Sequence, residues 1–152
     1  MADRKQKPSL GICCGCELPP RTRAAAVVMA TRGLRVGALP ELSIRGGRFI
    51  TRSKGKDLSG ELPPQALAAV KGLGSKPFVK LTAAQLADSF RYATGKLFKA
   101  GKLSTRYSVH DLRHYYAMDE YRARQDLYRL KTLLGHASIG VTEAYLQGLG
   151  EF

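Results

Sequence analysis

The chain has 152 residues, enough for one domain with a real core, and its 44% hydrophobic content excludes wholesale disorder. Twenty-five lysines and arginines stand against 12 acidic residues, a formal net charge of +13, which points to a polyanionic partner, with nucleic acid ahead of an anionic membrane surface. No apolar run approaches the roughly 20 residues that cross a bilayer, and residues 10–16 are too short and glycine-rich for a signal peptide, so a cytoplasmic, nucleoid-associated protein is expected.

Residues 1–19 show no period and run into Pro19-Pro20, which reads as a linker or disordered tail. Cys13, Cys14 and Cys16 lack the paired spacing or nearby histidines of a zinc site, so free thiols are expected there. Residues 21–31 hold an alanine-rich apolar block that favours a helix buried on most sides. Gly33 ends it and Arg35 follows; taken alone, Arg35 is one more surface arginine. From residue 42 the period changes to that of three short strands at 43–45, 48–52 and 58–62. Gly46-Gly47 predicts a tight first turn, and residues 53–57 a looser second one. Lysines in that second turn, Lys54 and Lys56, can swing into a groove beside the sheet. Pro63-Pro64 opens a short helix through Val70, followed by a glycine-rich loop to Lys80. Thr82 and Gln85 are spaced as a capping box, and Leu86, Phe90, Ala93 and Leu97 mark the buried face of a helix reaching about Ala100. Nothing in that stretch carries chemistry.

Ser108 and Asp111 cap the next helix and put His110 and Arg113 in its first turn. Residues three and four apart share a helix face, so His110, Arg113 and His114 point broadly together, near a terminus that favours anions. Asp126 starts a further helix with Leu127, Leu130, Leu133 and Leu134 on one face, stopped by Gly135. His136 sits just past its end, and Ser138 starts a helix that carries Tyr145. Helices joined by such tight corners can converge on one point. Singly these residues are bland: Tyr145 is one of seven tyrosines, His136 suits a helix C-cap, and His114 suits core packing and is left out of the catalytic set.

Taken together they are not bland. The motif HxxRH at residues 110–114, the run Leu133-Leu134-Gly135-His136 and a tyrosine nine residues later resemble the C-terminal half of a tyrosine recombinase (phage-integrase family). Gly33-Leu34-Arg35-Val36-Gly37 resembles that family's first arginine box. The resemblance covers residues 21–146 and implies a mainly α fold with a small three-stranded antiparallel β-sheet. It implies that residues 20–152 form the catalytic domain, with the family's N-terminal core-binding domain absent. The implied catalytic set is Arg35, Lys54, His110, Arg113, His136 and Tyr145, with Lys54 as general acid and Lys56 as the fallback.

The chemistry of those residue types is coherent. A tyrosine oxygen can attack a phosphodiester and hold it as a 3′-phosphotyrosine. Two arginines stay protonated and offer forked donors to the charge gathering on the phosphate. His136 can add a hydrogen bond, and His110 can shuttle a proton near the nucleophile. No cofactor and no metal are required. The resemblance implies a site-specific recombinase or integrase of a mobile element. Its expected partners are double-stranded DNA and, on DNA, other recombinase subunits in a tetrameric synapse; no membrane contact is expected, and the chain should be monomeric off DNA. Two departures stand out: only seven residues follow Tyr145, and Arg124 sits where the family commonly has glycine. Alternative readings are a type IB topoisomerase-like activity and a catalytically idle DNA-binding remnant.

Overall fold

A computed structural model describes residues 18–103 and 106–148; the tail expected at residues 1–17, with Cys13, Cys14 and Cys16, lies outside the described residues. The first helix, α1 (Pro20–Arg32), is the centre of the fold. Proline in its first turn lacks only an N–H that would have no helical partner. Alanines and valines from Ala24 to Met29 are buried on all sides, and their small volume lets other helices approach. Gly33 ends α1 with φ +66° and donates its N–H to Met29 O at 2.8 Å. A Cβ there would lie 2.2 Å from Tyr116 Cδ1, so glycine is required both by the backbone turn and by the ring against it.

A single 3₁₀ turn (Val36–Ala38) leads to an antiparallel sheet of β1 (Ser43–Arg45), β2 (Arg48–Ser53) and β3 (Lys56–Glu61), in the order β1-β2-β3. Both turns are two residues long. Gly46 and Gly47 have φ +57° and +77°, Lys54 and Gly55 φ +50° and +77°, and such paired positive φ angles match the right-handed twist of the strands. The looser turn expected over 53–57 is therefore corrected: pairing runs on to Arg52↔Asp57 and Ser53↔Lys56. Two extra rungs and an Arg52 Nε–Asp57 Oδ1 contact of 3.2 Å offset the cost of a left-handed lysine. Phe49 and Thr51 face inward from β2, and the Thr51 hydroxyl donates to Ala38 O, tying the 3₁₀ turn to the sheet.

Helix α2 (Pro64–Val70) packs on α1. Helix α3 (Ala83–Lys99) starts with the expected capping box: Gln85 N–H donates to Thr82 Oγ1 at 3.1 Å, and Thr82 N–H to Gln85 Oε1 at 2.9 Å. Helix α4 (Val109–Arg124) lies along α1, and Ser108 N–H donates to Asp111 Oδ2 at 2.8 Å. Since α4 begins at Val109, Arg113 opens its second turn rather than closing the first. Helix α5 (Leu127–Leu134) is capped by Asp126 Oδ1 accepting from Arg129 N–H at 3.0 Å, and helix α6 (Ile139–Gly148) follows. One core joins α1 to α4 and the sheet. A smaller cluster of Tyr116, Ala117, Leu130, Leu134 and Leu146 sets α5 and α6 against α4, with Tyr145 packed on its edge.

The corner between α4 and α5 is made by Gln125 in the left-handed region, φ +51°, ψ +35°. Position 125, not Arg124, is thus where glycine would suit the backbone. Left-handed backbone costs a non-glycine residue roughly 1–2 kcal/mol, partly offset by glycine's greater freedom when unfolded. Gln125→Gly is expected to stabilise the protein by about 0.5–1 kcal/mol, seen as a rise in Tm of a few degrees. A lower Tm for the variant would mean that the glutamine side chain supports the corner. Glu120 already braces it, taking Arg124 Nε at 3.1 Å and Arg129 Nε at 2.7 Å.

Candidate active site

Arg35 leaves the end of α1 in extended backbone, φ −75°, ψ 148°, and the 3₁₀ turn after it is fixed by Thr51. Arg113 is only 6% exposed. It donates to Gly33 O at 2.6 Å and to Leu134 O at 2.8 Å, two carbonyls that helix ends leave open. The guanidinium thereby joins the ends of α1 and α5. A guanidinium has five N–H donors, so some remain for an anion. Gly135 (φ +71°) closes α5, and His136 N–H completes the cap by donating to Lys131 O at 3.0 Å. That bond fixes the histidine's backbone at the rim of the site.

Two adjoining hollows, of about 210 and 470 Å³, share Arg35, Ser53, Lys54, Arg113 and His136. The larger also takes in His110, His114 and Tyr145; the smaller takes in Lys56. All six predicted residues thus come together, from the α1 end, the β2–β3 turn, α4, the α5 end and α6. The two lysines differ. Lys54 borders both hollows from the turn apex, whereas Lys56 Nζ donates to Gly135 O at 3.3 Å and braces the hairpin against α5.

Among the described residues that line it, the hollow carries arginines and lysines and no carboxylate. Burial lowers the Arg113 pKa to about 10, and the neighbouring Arg35 charge lowers it further in the same direction. It remains charged at neutral pH. Burial, with Arg113, Arg35, Lys56 and Lys54 adding to it, lowers His136 to about 4, so its imidazole is neutral at pH 7. Tyr145 is pushed up to about 12 by burial, against the opposing pull of Arg113 and Arg35. The Arg113 guanidinium is near enough to oppose that rise, yet among the described residues the buried Tyr145 hydroxyl has no hydrogen-bond partner of good geometry. An anion entering between the arginines would lower the energy of both cations at once. Among the described residues no group of three or more His, Cys, Asp or Glu could hold a metal ion.

Two residues outside the predicted set belong to this site. His114 meets the Tyr145 ring edge-on at 5.4 Å between centroids, and His136 meets it at 5.7 Å. His110 stacks on His114 at 6.5 Å, one ring farther out, and is exposed. The sign was within HxxRH itself, since His114 is one turn after His110 and beside Arg113. Thr142 is fully buried, with Oγ1 2.9 Å from His136 Nδ1. Its signal was weaker: a polar residue one turn before Tyr145 on the same helix face.

No family model and no curated protein matches the chain. Solved structures do match. The XerA recombinase superposes with a TM-score of 0.71 at 24% identity over 90% of this chain and 56% of that one. A lambda integrase dimer bound to a COC′ core site gives 0.66 at 21% identity, over 90% and 55%. The Tn1549 transposon integrase in complex with a circular intermediate DNA gives 0.70 at 15% identity, over 93% and 60%. The fold is that of a tyrosine recombinase catalytic domain. The expected mainly α fold with a three-stranded antiparallel sheet is therefore present in this recombinase fold. The chain spans little more than half the length of these recombinases and integrases. No helix of the described residues is long and apolar enough to cross a membrane.

Proposed function

We propose that this chain is the catalytic domain of a site-specific DNA recombinase or integrase that cleaves and rejoins strands through a 3′-phosphotyrosine. One observation carries the proposal: a tyrosine hydroxyl faces two arginines and a neutral histidine in a hollow edged by a turn-borne lysine. The Tyr145 oxygen attacks the phosphorus, an Oη–P bond forms and the P–O5′ bond breaks. Arg35 and Arg113 hold the non-bridging oxygens, where preorganised donors act most strongly on developing charge. His136 donates a hydrogen bond to the same group. The phenol proton leaves toward the histidine pair, with His114 against the ring and His110 beyond it. Lys54 protonates the departing 5′ oxygen. Attack by a 5′-hydroxyl reverses every step, so rejoining needs no energy-rich cofactor. The +13 charge favours duplex DNA as the partner.

A duplex nicked a few nucleotides beyond the scissile phosphate releases the short fragment that carries the new 5′-hydroxyl, which diffuses away and traps the intermediate. A covalent protein–DNA adduct is expected, and an added strand with a 5′-hydroxyl should be joined to it. Adduct without joining to a new partner strand would favour topoisomerase-like relaxation. Absence of any adduct would leave an idle DNA-binding remnant.

The acid is tested separately. A 5′-phosphorothiolate has a sulfur leaving group that needs little protonation. Lys54→Ala is expected to be slow on ordinary DNA and restored on the sulfur substrate, with Lys56→Ala mildly slowed on both. The reverse pattern would move the acid to Lys56.

A further inference from the structure

Helical threonines in this protein usually turn the hydroxyl back on their own helix. Thr31 donates to Val27 O at 2.7 Å, Thr94 to Phe90 O at 2.9 Å and Thr132 to Tyr128 O at 3.0 Å, each four residues back. Thr142, in α6, turns its hydroxyl to the His136 ring instead, with 2.9 Å between Oγ1 and Nδ1. The side chain is fully buried, out of reach of bulk solvent.

A neutral imidazole carries one proton, on either nitrogen, and the partner of one nitrogen decides the state of the other. Were Nδ1 to hold that proton, the Thr142 hydroxyl hydrogen would be buried beside a donor. A buried donor without an acceptor costs about 1–3 kcal/mol. With the proton on Nε2, Nδ1 accepts from the hydroxyl and both groups are satisfied. We infer that Thr142 is a positioning residue: its hydroxyl donates to His136 Nδ1 and so holds the imidazole as the Nε2–H tautomer, a donor toward the anion hollow. Thr142 is also one helical turn before Tyr145. The same contact sets the register of the nucleophile's helix against the histidine that binds the phosphate. This inference rests on the strand-transfer reading for its consequence in rate, but not for the tautomer.

Two readouts separate those levels. Ring ¹⁵N shifts of His136 report the tautomer in the DNA-free protein, and single-turnover adduct formation on the nicked duplex reports the rate. Wild type and Thr142→Ser should both show the Nε2–H form and react at similar rates. Thr142→Val keeps the shape but leaves Nδ1 unpaired. It should lose the tautomer preference and form adduct ~10–100-fold more slowly, the scale of a misoriented group, with DNA affinity close to wild type and a Tm lower by a few degrees for the unpaired Nδ1. An Nδ1–H tautomer in wild type would overturn the assignment, as would a Thr142→Val variant matching wild type in both readouts. Should the tautomers come out as expected while wild type forms no adduct, the positioning role stands and the strand-transfer reading fails.

Discussion

Tyr145→Phe is expected to abolish covalent adduct formation with the nicked duplex while leaving folding and DNA binding near wild type. The reason lies in how the hydroxyl is held. Among the described residues its buried oxygen has no hydrogen-bond partner of good geometry, so removing it breaks no well-formed hydrogen bond. The ring stays packed between His114, His136 and the cluster around Leu146. With its pKa near 12, only about one molecule in 10⁵ carries the tyrosinate at pH 7. In the proposed reaction the proton leaves as the oxygen attacks, and the wild-type rate should depend on a neighbouring base. Gel separation of labelled adduct, with a thermal melt of the variant, checks the prediction. An adduct formed by the Phe variant and mapped to a different tyrosine would remove Tyr145 from the mechanism.

The second large effect concerns Arg113, which joins two helix ends and faces the hollow at the same time. Arg113→Ala would leave Gly33 O and Leu134 O buried and unpaired, at roughly 1–3 kcal/mol each. Folding and activity should then fall together, which makes that variant uninformative alone. Arg113→Lys keeps the charge, but an ammonium cannot span both carbonyls and still present a fork to phosphate. Adduct formation is expected to drop by about 10²–10³, the usual consequence of losing one preorganised donor, with a measurable fall in Tm. Arg35 is half-buried and follows a helix rather than joining two, so Arg35→Ala should lose rate with a smaller loss of stability. Single-turnover rates and melts on the three variants test this division. Near-normal cleavage by Arg113→Lys would reduce Arg113 to a structural tie.

Much of the architecture is written within a few residues of where it appears. The glycine after α1, the Thr82–Gln85 and Ser108–Asp111 caps, Asp126 and Gly135 each act on their own helix end. Local steric and hydrogen-bonding preferences suffice to read them in order. The six residues that meet in the hollows were legible because their types and spacings form a pattern, although no single one was informative. Their partners were not legible. Arg113 bonds carbonyls 80 and 21 residues away, and Lys56 bonds one 79 residues away; no window along the chain contains both ends. The looser turn expected at 53–57 failed for a related reason, since the ladder gained by Arg52 and Asp57 outweighs the local reluctance of a lysine to turn left-handed. Helix packing placed His114, rather than His110, against Tyr145 and turned Thr142 toward His136. Sequence by itself named six of the groups that line the hollows, and missed His114 and Thr142. The tertiary structure decided which of them touch, because burial sets the pKa of Tyr145 and His136, and burial depends on elements that come together only when the chain is folded.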